Sequence, residues 1–351
     1  MSHRRLPLAI LTVLATLLAA CSAPQGPSMS ASETGAAIDE VVQAGTDVSS
    51  ATAWTDLPTS AFDVVGTAGL PAPTASGTLP RGVYLYDDVT GAWSMTGESD
   101  DLELNWLYDS VAHELTIDWD ATAPTILVEV SGSVEKEVPV GAEATLLAGG
   151  TEVGSLAIGS AWTNNQCGYD EPSSASLSGY LGDNGAKVTL DRLALTIADT
   201  AGTDVVTAAV EATAATGSDS LSAYLELTGR GELVRDVSCS IIDFTPESGT
   251  VAFGAAVDVD GESRSLDFQT AFDDVVFEPG SFTSVGLNGT LRVDGLLAVS
   301  FLGTLDDANS NGVPGDNLQL TFADDESVSL ETFLVDHFGW GPLAALKLLA
   351  R

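Results

Sequence analysis

From Val83 onward the chain alternates apolar and polar residues, and that period of two limits what it can become. Leu102, Leu104 and Trp106 alternate, as do Leu115, Ile117 and Trp119, then Ile126, Val128 and Val130, then Val138 and Val140, then Leu146 to Ile158 around Gly149 and Gly150. The second half repeats the device over longer runs: Val188 and Leu190, Leu193 to Ile197, Leu221 to Leu227, Val251 to Val259, Leu266 to Phe272 and Val285 to Phe301. Successive side chains of a strand point to opposite faces, so such runs predict strands with one greasy and one wet face. Asn184-Gly185, Asp260-Gly261 and Asp294-Gly295 supply the residues that two-residue hairpin turns need at positive φ. Sequential hairpins predict an all-β fold, an antiparallel meander forming one or two β-sandwich or curled-roll units. The pattern leaves sandwich and roll both open.

The two ends depart from this pattern. Leu330, Phe333, Leu334, His337 and Phe338 fall at helical spacing and Gly339 stops the run, so a short helix is expected in a tail over 327–351. At the amino end, Arg4 and Arg5 precede an apolar stretch from Leu6 to Ala20, too short to span a bilayer permanently but suited to a secretory signal. Leu18, Ala19, Ala20 and Cys21 then resemble the lipobox of bacterial lipoproteins. That resemblance implies cleavage before Cys21, a diacylglycerol on its thiol and an acyl chain on its amine, a combination that anchors stably where a single chain does not. Ser22 stands where inner-membrane lipoproteins often carry aspartate, so the resemblance favours the outer membrane.

Residues 21–80 are rich in Ser, Ala, Thr, Gly and Pro and are expected to be a lipidated amino terminus and flexible tether. A first β domain over 81–165 and a second over 166–326 are expected to follow. Fifty acidic residues against twelve basic ones give a formal charge of −38, which excludes nucleic acid as a partner because phosphate binding needs a basic stripe. The same charge keeps an exported chain soluble by self-repulsion.

Few constellations carry chemistry. With Cys21 lipidated, Cys167 and Cys239 remain as an even pair in an oxidising location, which predicts one disulfide. In a loop-entropy account a bridge of that span contributes roughly 4 kcal/mol. Asp307, Asn309, Asn311, Gly312 and Val313, followed by Asp316, resemble the start of calcium loops of the EF-hand, dockerin and thrombospondin type. The resemblance implies Ca²⁺ held by side-chain oxygens and the Val313 carbonyl, but Leu318 occupies the twelfth position, where a bidentate glutamate belongs. Acid pairs such as Asp100 and Asp101 do not reveal from sequence whether they face one another. His113 and His337 fit no metal spacing, and tryptophans such as Trp93, Trp106 and Trp119 suit either packing or sugar stacking. The expectation is a membrane-anchored, non-catalytic envelope lipoprotein with a structural or recognition role. The alternative is a carrier or sensor of an apolar ligand held between sheet faces.

Overall fold

The computed structural model describes residues 26–50, 61–73, 75–131, 134–165, 168–182, 185–200, 202–235, 241–278, 281–311 and 315–338. The strands are β1 (Gly82–Asp87), β2 (Ala92–Gly97), β3 (Leu102–Tyr108), β4 (Val111–Ala123), β5 (Ile126–Ser131), β6 (Val134–Val138) and β7 (Gly141–Ala148). Longer ones follow: β8 (Thr151–Asn164), β9 (Asp170–Gly182), β10 (Ala186–Thr200), β11 (Thr203–Thr216), β12 (Asp219–Arg235), β13 (Ile241–Val259), β14 (Glu262–Glu278), β15 (Ser281–Val293) and β16 (Leu296–Leu305). Two short ones, β17 (Asn317–Thr321) and β18 (Ser327–Ser329), end the series. The helices are α1 (Ala31–Ser49), α2 (Ala61–Ala68) and α3 (Leu330–Phe338).

From β7 to β18 every strand pairs antiparallel with its sequence neighbour, and the same sheet continues through β4, β3 and β1 to β2. The meander is thus a single open sheet of sixteen strands, with β5 and β6 set apart as a hairpin. The expected boundary at 165/166 falls in the turn between β8 and β9, whose strands pair with each other, so both expected β domains share this sheet. One pairing breaks the antiparallel rule: β1 lies between β2 and β3 and runs parallel to β3. The turns at Asp260-Gly261 and Asp294-Gly295 have positive φ at both residues, as the hairpin reading requires.

Register carries the alternation from strand to strand. One row runs Leu104, Leu115, Leu146, Gly154, Leu181, Val188, Ala214, Leu221, Val257 across nine strands, each residue opposite the next. The row behind it reads Thr189, Thr213, Ser222, Ala256, Ser265. The sheet is therefore apolar on an inner face and polar on an outer one. Arg235 of β12 reaches Glu171 of β9 at 2.6 Å over the two intervening strands, so the sheet curls around its apolar side.

Three clusters bury parts of that face. Around β1, β3, β4 and β7, Leu102, Leu104, Trp106, Trp119 and Leu146 are buried, with Val64 and Val65 of α2 against them. Here the tryptophans are packing residues: Trp106 stacks on His113 at 5.4 Å, and Trp119 Nε1 donates to the Pro80 carbonyl at 2.8 Å. At the other edge Phe301, Leu320, Phe322 and Phe333 of α3 pack together, so the expected tail helix covers the sheet edge. Between them a ladder of rings, Phe253 on Phe268 at 4.6 Å and Phe268 on Phe301 at 5.1 Å, crosses β15 over Gly289. A Cβ at Gly289 would meet the Phe301 ring and the β14 backbone, so only glycine lets the ladder close.

The third cluster corrects the tether. α1 opens with a capping box, Ser30 with Glu33, and lays Val41 and Val48 onto Val257, Val293 and Ala298. Ser28 N donates to the Leu297 carbonyl at 2.8 Å, so the chain is tied to the sheet well before residue 80. The tether reading failed because Ala31, Thr34 and Gly35 supply much of the buried stripe, and small residues do not register as a greasy face.

The β5–β6 hairpin is held by charge. Arg81 Nη1 and Nη2 donate to Glu137 at 2.9 and 2.8 Å, and Leu79 N and Thr125 Oγ1 donate to the same carboxylate. The Arg81 hydrogen bonds are the main reason that the Glu137 carboxyl is lowered to about 2. A carboxyl lowered on folding contributes stability above its unfolded pKa, near 4.5, and loses it as pH falls through about 2. Glu137→Gln is expected to cost about 2 kcal/mol at pH 7 in urea unfolding, and the gap between variant and parent should close near pH 2. A gap that persists there would assign the cost to packing.

Candidate functional site

Among the described residues, cover of the inner face is incomplete. α1 lies over the β12–β15 part, and the tryptophan cluster occupies the β1–β7 part. Between them a cavity of about 360 Å³ opens, lined by Leu115, Leu146, Leu156, Leu181, Val188 and Leu190 among others. Its floor is low because Gly154 and Gly179 occupy inner-face positions on β8 and β9. The size falls within the roughly 300–1,000 Å³ typical of small-molecule sites.

The apolar surface continues beyond the cavity. Leu193 and Leu195 of β10, Leu225 and Leu227 of β12 and Phe253 of β13 are between 39% and 46% exposed. All five share the inner face: Leu193 is opposite Val210, Val210 opposite Leu225, and Leu225 opposite Phe253. A contiguous patch of large apolar side chains open to solvent is an interaction surface far more often than is scattered exposure. Covering these five side chains would contribute roughly 1 kcal/mol apiece before the costs of binding.

The trough has one polar end. There Arg235 Nη1 and Nη2 donate to Glu171 at 2.6 and 2.8 Å, which lowers the Glu171 carboxyl and raises the guanidinium. Asp199 and Asp204 face each other across the β10–β11 pair at the same end. Cys167 and Cys239 lie outside the described residues, as do Cys21 and Val313. Glu171 and Arg235, each four residues in sequence from Cys167 and Cys239 respectively, form an ion pair that joins the start of β9 to the end of β12.

The loop compared with calcium sites is assembled differently from the sequence expectation. Leu318 is 3% exposed in the α3-side core, so the twelfth position has no access to the loop. Glu331, near the start of α3, takes its place: Asn309 Nδ2 donates to Glu331 Oε2 at 3.1 Å and to Asp316 Oδ1 at 2.6 Å, and Asn311 Nδ2 donates to Glu331 Oε1. Asn311 N donates to both Asp307 Oδ1 and Asn309 Oδ1 at 3.0 Å. Linear spacing missed Glu331 because it arrives from another element. The Asn309 and Asn311 side chains turn their N–H groups toward the Asp316 and Glu331 carboxylates.

One further acid group was not foreseen. Asp101, Asp118 and Asp120 hold carboxylate oxygens within 4.8 Å of one another, and burial first, then its neighbours, raise the Asp101 carboxyl. Among the described residues no helix is long and apolar enough to cross a membrane. Compared with protein-family models, characterised proteins and solved structures, the chain matches none.

Glu331→Gln leaves one amide oxygen where two carboxylate oxygens each accepted from an Asn side chain, at an expected cost of about 1 to 2 kcal/mol. The melting temperature should fall equally with and without a calcium chelator. A fall seen only in calcium would make the loop a cation site.

Proposed function

We propose that this chain is a lipid-anchored, non-catalytic protein of the cell envelope whose curled sheet holds an apolar ligand. The observation that carries the reading is the open trough on the inner face, an apolar cavity continuous with five exposed large side chains. A purely structural role gives no reason for leaving such a surface uncovered, so the geometry favours the carrier or sensor alternative. The occupant needs no hydrogen bonds from the trough, because β8 to β13 each pair on both sides and direct their backbone groups to one another. A peptide added as a strand is disfavoured for that reason, and a hydrocarbon is the natural fit. A second copy is disfavoured by the large negative charge that each would bring.

The anchor reading rests on the residues around Cys21. A lipid there leaves only the stretch to Ser28 before the chain is bonded to the sheet, at most about 25 Å fully extended. The trough would then work close to a membrane surface, in the outer membrane by the Ser22 argument. The proposed Cys167–Cys239 bridge would lock the same end of the trough that the Arg235–Glu171 pair closes.

Two measurements test the halves separately. Native protein grown with labelled palmitate should carry the label, and Cys21→Ser should abolish it; equal incorporation removes the anchor. A neutral naphthylamine dye should brighten on the protein with micromolar affinity, and Leu225→Glu with Leu193→Glu should weaken it at least ten-fold without lowering the melting temperature. Unchanged dye binding in that variant removes the trough.

A further inference from the structure

We infer that the trough takes an amphiphile with a single alkyl chain and a cationic polar group, lying along β11 with its charge at the β10–β11 turn. The inference rests on the apolar-ligand reading above and adds the chemistry and direction of the occupant.

The width comes from the sheet itself. On the inner face β11 presents Ala208, Val210, Ala212 and Ala214, while β10 raises Leu193 and Leu195 on one side and β12 raises Leu225 and Leu227 on the other. Neighbouring strands lie about 4.8 Å apart, so these walls stand about 10 Å apart at the backbone. Leucine side chains on both walls reduce that gap, so the lane suits a narrow occupant such as a single alkyl chain. Toward the β11–β12 turn the lane meets Leu221 beneath α1, so a chain entering it ends against apolar surface.

The direction comes from the other end. The inner row on β10 passes from Leu195 and Ile197 to Asp199, and on β11 from Ala208 and Val206 to Asp204. Asp199 Oδ1 accepts from Gly202 N at 2.9 Å, and Asp204 Oδ2 accepts from Leu233 N at 2.8 Å, which fixes both carboxylates in place. Glu171 adds a third carboxylate, and the guanidinium of Arg235 is committed to it. With Asp199 opposite Asp204, this end carries three carboxylates for one guanidinium, which leaves surplus negative charge where the polar group would lie. An ammonium complements it, whereas a carboxylate or phosphate would be repelled.

The test uses the full-length protein in phosphatidylcholine nanodiscs, with three probes that share a sixteen-carbon chain carrying a photoreactive diazirine near the head. Their heads are trimethylammonium, carboxylate and an uncharged sugar. Cross-linked peptides should map to β10–β12, with the head at residues 197–206, and the ammonium probe should label at least ten-fold more than the carboxylate probe. Asp199→Asn with Asp204→Asn should bring those two within about two-fold while labelling by the sugar probe is kept. Asp273→Asn with Asp274→Asn, which removes the same charge elsewhere, should leave the ratio as in the parent. Equal labelling by ammonium and carboxylate, or a ratio that falls as far in the distant variant, overturns the inference and leaves the apolar-ligand reading standing. Absence of labelling by all three probes overturns both.

Discussion

A sheet sixteen strands wide has more apolar face than the described helices cover, and the rest of the structure follows from that shortage. At about 4.8 Å per strand the inner face is roughly 75 Å across if flattened. The longest described helix, α1 with 19 residues, is about 28 Å long. It covers one stretch, α2 and the tryptophan cluster cover a second, and α3 covers the far edge. Curling the sheet toward its apolar side shortens the uncovered span but does not remove it. The trough over β8–β12 is what remains.

Charge makes that remainder tolerable. Exposed apolar surface would drive two copies together, and sheet edges would add to the hazard. With 50 acids against 12 bases every approach is opposed at distances up to the screening length, about 8 to 10 Å at physiological salt. The polar outer face, with its threonines, serines and carboxylates in register, keeps the curled sheet single-layered by giving a second sheet nothing to pack on. The acidity that first looked like a general solubility device thus has a structural counterpart in an open apolar face.

How much of this was legible follows from which forces act locally. Strands and hairpin turns could be read from the sequence, because alternation and Asp-Gly pairs are properties of neighbouring residues. The helix over Leu330–Phe338 was legible for the same reason. The full length of α1 was not: much of its contact with the sheet is made by alanine, threonine and glycine beside Ile38, Val41 and Val48, and it gains stability from a surface hundreds of residues away in the chain. The parallel placement of β1 beside β3 was equally hidden, since adjacent segments normally close as antiparallel hairpins. Glu331 shows the limit for sites, because the carboxylate missing from the Asp307 loop is supplied by a helix that begins after two further strands.

The trough itself was half legible. The sequence showed that one face of Val251 to Val259 is apolar, but not whether that face meets another sheet or solvent. That choice depends on whether the strands divide into two sheets or stay in one, and so on whether any connection crosses from layer to layer. From β7 to β18 none does: each strand pairs with the next, so no second sheet forms to face the first. A meander without a crossover can bury its apolar side only by closing into a barrel or by borrowing helices. The sheet stays open, and the described helices are too short to finish the task. An unfilled apolar lane is therefore a consequence of the connectivity, and the acids at its end give that lane a direction.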